Sequence, residues 1–253
     1  MSAVTAADGN GVRTLTICRP EVRNALSREV VDTLLTSLCD VDLAGEVGAV
    51  VLTGAGDTFS SGADLREVGS ARSTSAAGFV VQPLTPLFQL REAIRTCPLV
   101  VIAAVNGPAV GGGFSLAMAC DFVVASDQAS FWLPEVARGL VPVGPVAELV
   151  ELVGRQRAFD LLVNGLRLSA DEACSLGLVT RVSLASQFVA EYTRFAAEIA
   201  GKDRLTLALT KRLLRRTTGR DRAEALAAAS DTYAISKLAA AADRPAALWL
   251  TAP

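Results

Sequence analysis

The chain has 253 residues, 51% of them hydrophobic and 20% charged, with a formal charge of −2. A chain of this size buries about 70–75% of its unfolded surface, which excludes disorder and fits one large domain or one domain with a helical appendage. The near-neutral balance argues against a nucleic-acid partner, and the absence of histidine removes Ser/His/Asp and Cys/His nucleophile systems, HExxH zinc sites and the commonest general base at neutral pH.

Asp8-Gly9-Asn10-Gly11 is a hairpin signal, and Val12 to Ile17 alternates as a half-buried strand. Ser27 is the expected N-cap of a helix over 27–43, because Val30, Leu34, Leu38 and Val41 recur at helical spacing. Val47 to Thr53 reads as the next strand and Gly54-Ala55-Gly56-Asp57 as its turn. Phe59 to Arg66 forms a small-residue turn entering a helix, and the polar stretch 69–78 reads as a mobile loop. A helix over 84–96 precedes the apolar, β-branched strand Leu99 to Val105.

Short strands are expected at 122–125 and 130–132, helices at 145–153 and 155–164, a helix from Ser169 stopping at Gly177, and a strand at 178–182. From about Gln187 onward the chain reads as helix, so an α/β core over 1–186 carries a helical region over 187–253. The late basic residues Lys202, Arg204, Lys211, Arg212, Arg215, Arg216, Arg220 and Arg222 read most simply as a solvated helix face.

Cys18, Cys39, Cys97, Cys120 and Cys174 are scattered and never form a CxxC pair, so no metal site or disulfide framework is expected, and a reducing cytoplasm fits best. The N-terminus lacks a basic, then apolar, leader pattern. The stretch 99–119 is apolar enough for a membrane span, but Asn106-Gly107-Pro108 and Gly111-Gly112-Gly113 interrupt it, so no membrane partner is expected.

Val105 to Asp121 carries the most chemistry. A buried strand runs through a glycine turn into a helix, and the amides near Gly112 are first-turn donors without intrahelical partners, suited to an anion or a developing oxyanion. Gly107 and Gly112 have phosphate-loop spacing, but Gly113 and Phe114 stand where the lysine and hydroxyl residue belong, which discards that reading. Taken singly, each of the two glycine turns is explained as well by tight turning or packing.

Phe59-Ser60-Ser61-Gly62-Ala63-Asp64-Leu65, then Ala104 to Gly113, then Ala117-Met118-Ala119-Cys120-Asp121 together resemble the enoyl-CoA hydratase/isomerase, or crotonase, family. Arg19-Pro20 with Asn24-Ala25-Leu26, and Ser169 to Ala173 with Gly177-Leu178-Val179, extend the resemblance over about 10–185. It implies a ββα spiral core with a helical C-terminal trimerisation region, a homotrimer or dimer of trimers, an acyl-CoA thioester substrate and no separate cofactor. By the same carry-over, the amides of Ala63 and Gly112 form the oxyanion hole, Ala63-Asp64-Leu65-Arg66 lie along the CoA moiety, and Arg23 is a phosphate contact.

The departures bear on the reaction. The family's hydratases place one glutamate three residues after the second oxyanion glycine and another in a later Pro-Glu step; here these positions hold Ser115 and Glu135. Serine can hydrogen-bond a water or hydroxyl but cannot serve as a carboxylate base. One carboxylate suffices for a Δ3,Δ2-enoyl-CoA isomerisation, taking a proton from C2 and returning it at C4 of a dienolate, and this reading ranks first. Hydration by Glu135 with Ser115 placing water is the alternative, and a non-catalytic acyl-CoA binder a second one. Apolar Phe131, Trp132, Leu133 and Val136 are expected to raise the Glu135 pKa. Asp64 and Asp121 read as architectural, and Val141 to Val146 replaces the usual Gly-Gly-Thr loop, with Pro145 suited to a first helical turn.

Overall fold

The computed structural model describes residues 2–41, 45–64, 66–67 and 86–243, so the expected loop at 69–78 lies outside the described residues. Two compact units divide the chain, Met1–Gly201 and Lys202–Pro253.

In the first unit β1 (Val4–Gly9) and β2 (Val12–Ile17) form an antiparallel hairpin. Its turn residues Asn10 and Gly11 have φ of 52° and 73°, the left-handed pair that a two-residue hairpin with right-twisted strands requires. Sequence reading found the turn and the second strand, but not β1, whose pattern is exposed after Val4. Ser27 caps α1 (Arg28–Cys39) through the amide of Val30, and Val30, Val31, Leu34 and Leu38 are its buried stripe.

β3 (Ala49–Gly54) and β4 (Val100–Val105) are buried along their whole length, which explains why both read as unbroken apolar runs rather than alternating ones. With β6 (Phe122–Ser126) and β9 (Arg181–Ser183) they complete a sheet of order β1-β2-β3-β4-β6-β9, parallel from β2 onward. On one face α1 and α2 (Pro86–Thr96) meet Leu15, Leu52 and Val101 through Leu34, Leu38, Leu90 and Ile94. Across the other face lies α6 (Phe188–Ala200), with Phe195 edge-on to Phe122 at 5.2 Å and beneath the Arg181 guanidinium at 4.2 Å. The boundary expected at 186/187 precedes this helix, whereas the first unit runs on to Gly201.

β5 (Ala109–Val110), β7 (Ser130–Trp132) and β8 (Leu168–Ser169) make a smaller sheet. Between its strands run α3 (Gly112–Met118) and α4 (Val146–Asn164). The two helices expected at 145–153 and 155–164 are continuous apart from Gly154, whose φ of 76° and ψ of 161° kink α4 at the expected junction. A capping box joins Ser169 and Glu172 at the start of α5 (Ala170–Ser175). The strand expected at 178–182 starts later, at Arg181, because Leu178 and Val179 instead close the end of α5 through their amides to the Ala173 carbonyl.

The second unit holds α7 (Arg204–Thr217), capped by Asp203 on the Thr206 amide, and α8 (Arg222–Asp243), which lies against α7. Among the described residues no helix is long and apolar enough to cross a membrane, and no group of His, Cys, Asp or Glu side chains could hold a metal ion.

Candidate active site

The two glycine-bearing bends meet because the backbone stitches them together. Phe59 and Ser60 donate to the Pro108 carbonyl, Val110 donates to Ser60, and Ser60 pairs with Ala109 as an isolated bridge. A second bridge joins Leu26 to Ala63, in which the Leu26 amide donates to Gly62 and the Asp64 amide to Leu26. In a parallel bridge this pattern uses the amides either side of Ala63 and leaves its own N–H facing away from the partner strand.

Gly112 opens α3, so its amide also lacks an intrahelical acceptor. Among the described residues no protein acceptor takes the N–H of Ala63 or Gly112. The two nitrogens are close: a Cβ built on Gly112 would stand 3.2 Å from the Ala63 nitrogen, and one on Gly62 would stand 2.9 Å from the Gly112 nitrogen. A side chain at 112 would therefore crowd the Ala63 nitrogen. Leu87 of α2 borders the same position, with its Cδ2 3.0 Å from the built atom.

Glu135 lies beside this pair. It follows Pro134 after β7 and enters a single 3-10 turn (Val136–Arg138), its carbonyl accepting from the Arg138 and Leu140 amides. Its carboxylate is seated over Gly111: a Cβ there would come within 2.8 Å of Oε1. Gly111 itself holds φ 52° and ψ −116°, and its amide donates to the Trp132 carbonyl. That backbone conformation and that contact both call for glycine. Oε2 of Glu135 is buried and has no hydrogen-bond partner among the described residues. Burial pushes the Glu135 carboxyl above the ordinary glutamate range, against smaller opposing pulls from a backbone hydrogen bond and the charge of Arg138. Phe131 and Leu133 are buried as expected, while Trp132 is half-buried and Val136 is 39% exposed.

Ser115 projects from α3 and is 2% exposed, pressed by Gly144 so closely that a Cβ on that glycine would stand 2.2 Å from Oγ. Asp64, 6% exposed, faces arginines: Arg19 Nη2 at 3.0 Å and Arg66 Nε at 3.3 Å. Arg19 also donates to the Ala25 carbonyl, and Asn24 bonds the carbonyls of Ala55 and Thr58, so the Arg19 to Leu26 segment braces the Ala63 bend. Arg66 is exposed, and Arg23 lies exposed with a left-handed φ of 54° while its carbonyl accepts from Ser61. Leu65 lies outside the described residues.

Sequence reading missed Arg91 and Glu148. Arg91, 7% exposed, donates from Nε to the Ser115 carbonyl at 3.2 Å and from Nη2 to Glu148 Oε1 at 2.7 Å. The signal was present: Arg91 sits four residues after Leu87 and three before Ile94, within the apolar stripe of α2, where an arginine needs a buried partner.

The sequence pattern of the enoyl-CoA hydratase/isomerase family matches residues 7–244. A Mycobacterium leprae protein named "Probable enoyl-CoA hydratase echA8" is 35% identical over 213 residues, covering 84% of this chain and 80% of its own. Crystal structures of an enoyl-CoA hydratase from Polaromonas sp. JS666 and one from Mycobacterium smegmatis each superpose with a TM-score of 0.84 at 33% identity. The first alignment covers 91% of this chain and 90% of the other, the second 92% and 90%. The chain belongs to the enoyl-CoA hydratase/isomerase family, and its fold is the crotonase ββα spiral followed by C-terminal helices.

Proposed function

We propose that the protein hydrates a 2-enoyl-CoA thioester: the Ala63 and Gly112 amides hold the thioester oxygen, water adds its oxygen to C3, and Glu135 gives a proton to C2 and takes up the one the water loses. The observation that carries this reading is the buried, unpartnered Glu135 Oε2 beside Gly111, one residue from an amide that no described protein group occupies. Two preset donors stabilise the enolate that forms as charge moves onto the thioester oxygen. A carboxyl raised by burial exchanges protons nearer neutral pH than an exposed glutamate. The substrate itself carries coenzyme A, and the proton chemistry uses no further organic group.

Residue chemistry alone ranks the double-bond shift first, but the relatives' names favour hydration, so hydration leads here. One observation favours isomerisation as a second reading: Ser115 at the family's other glutamate position leaves Glu135 as the carboxylate beside the two amides. Supplying 2-enoyl-CoA and 3-enoyl-CoA separately distinguishes them; 3-hydroxyacyl-CoA from the former is expected. In Glu135→Gln the turnover is expected to fall by about 10²- to 10⁴-fold. Wild-type protein that binds CoA esters yet turns over neither would be the non-catalytic acyl-CoA binder. For assembly, we propose that the helical region within 187–253 joins copies into a homotrimer or a dimer of trimers.

A further inference from the structure

Arg91 lies where three helices meet, and the chemistry above gives it no part. It is 7% exposed; its Nη2 donates to Glu148 Oε1 of α4 at 2.7 Å and its Nε to the Ser115 carbonyl of α3 at 3.2 Å. One planar group is thus committed to two other helices, and the bond to Glu148 fixes the plane in which Nε points. Packing of α2 on its neighbours does not call for such a pair, because apolar side chains of similar volume serve a buried contact as well or better. What the guanidinium adds is direction.

Ser115 is the point at which direction matters. The N–H of Gly112 and the carbonyl of Gly111 belong to one peptide plane and point opposite ways, so whatever holds that carbonyl sets the aim of that N–H. The Ser115 amide holds it, at 2.9 Å. Ser115 is held in turn at its own carbonyl, by the Ala119 amide at 3.2 Å from the end of α3 and by Arg91 from outside it. Leu87, one turn before Arg91 on α2, stands against Gly112. α2 therefore meets α3 twice, by an apolar contact at the residue carrying the donor and by a hydrogen bond at the residue that orients it.

We infer that Arg91, oriented by Glu148, is a positioning residue for the thioester site: by holding the Ser115 carbonyl it keeps the Gly112 N–H aimed with the Ala63 N–H at one oxygen. A donor displaced from that aim stabilises developing charge far less, although the substrate still binds through its coenzyme A portion. The inference rests on the reading of these two amides as the thioester site, and it holds for hydration and isomerisation alike.

The test reads the polarisation of a bound carbonyl. 4-(Dimethylamino)cinnamoyl-CoA has an absorption band that moves to longer wavelength as its thioester oxygen takes up negative charge, whether or not a proton moves. The band shift is measured on the full-length protein, with affinity for CoA itself as the control, and kcat and KM are measured for the enoyl-CoA that the wild type turns over. Arg91→Met combined with Glu148→Met removes the donor and leaves no unpaired carboxylate behind; Arg91→Lys keeps a cation for Glu148 but loses the fork that also reaches Ser115. Both variants are expected to keep CoA affinity within about twofold, to lose about half or more of the band shift, and to lower kcat about tenfold or more at near-constant KM. A full wild-type shift in the double variant overturns the inference and leaves Arg91 as a tie between helices; if that variant does not fold, Arg91→Lys decides in the same way. Band shift and CoA affinity falling together also overturn it, because that marks a general disturbance of the fold. Wild-type protein that binds the probe without a shift overturns the thioester-site reading, and the inference with it.

Discussion

Gly112 is the residue on which the pocket is most sensitive. A methyl group there meets Leu87 at 3.0 Å and the Ala63 nitrogen at 3.2 Å; the leucine can swing aside, but the amide cannot, because its bend is bonded to β5. Gly112→Ala is expected to fold normally and lose about 10²- to 10³-fold in kcat, the usual effect of removing one oxyanion donor, measured with a 2-enoyl-CoA. Asp64 gives a test of the bend itself. Burial raises its carboxyl, but hydrogen bonds from Arg19 and the Arg66 amide, with both guanidinium charges, outweigh burial and leave it below the ordinary range. A depressed carboxyl stabilises the fold at every pH above its ordinary value, and the contribution disappears as pH falls through the folded value. Asp64→Asn should therefore cost about 1–3 kcal/mol at pH 7, with the gap from wild type closing in strongly acidic buffer, as thermal melts across pH would record.

These residues were legible to different degrees. Phe59 to Leu65 and Val105 to Gly113 were readable because glycine and small residues stand in a fixed order, and backbone amides do not depend on side-chain identity. Glu135 was readable only through the resemblance, since an acid after Pro134 is by itself an ordinary surface residue. The Arg91–Glu148 pair was not found because its partners are 57 positions apart and neither belongs to a motif.

Among the elements, those with a one-sided or fully buried pattern were the ones the sequence predicted. α1, β3 and β4 carry their period in their apolar residues, and Ser27 and Ser169 mark helix starts by their side chains. β1 escaped because its Thr5 to Gly9 stretch is exposed, and its strand character comes from pairing with β2. The kink of α4 was visible as Gly154, but not the continuity of the helix through it. At this scale the capping box is the sharpest test: Ser169→Ala removes the acceptor for the Glu172 amide and one bond to the Glu172 carboxylate. It should cost about 1 kcal/mol in chemical denaturation, with kcat unaffected; a loss well under 0.5 kcal/mol would count against the cap.

For the whole molecule, the first unit holds both bends, Glu135 and the Arg91–Glu148 pair, while the second consists of α7 and α8 beyond Lys202. Their burial pattern explains why this region reads as helix without a motif: α7 has no fully buried residue, and Ala228 and Thr232 are buried in α8. If the helical region joins copies, a chain ending at Gly201 should sediment as a folded monomer while the full-length protein sediments as a trimer or hexamer. A truncated chain that still trimerises would locate the assembly surface in the first unit.

The close seating of Gly144 on Ser115 bears on how this site can change over evolutionary time. A glutamate at 115 would need volume bordered by Gly144, so a single substitution could not seat a second carboxylate there without moving that glycine. The obstacle to a second acid at this position is steric bulk rather than chemistry, so the loop and the side chain would have to change together.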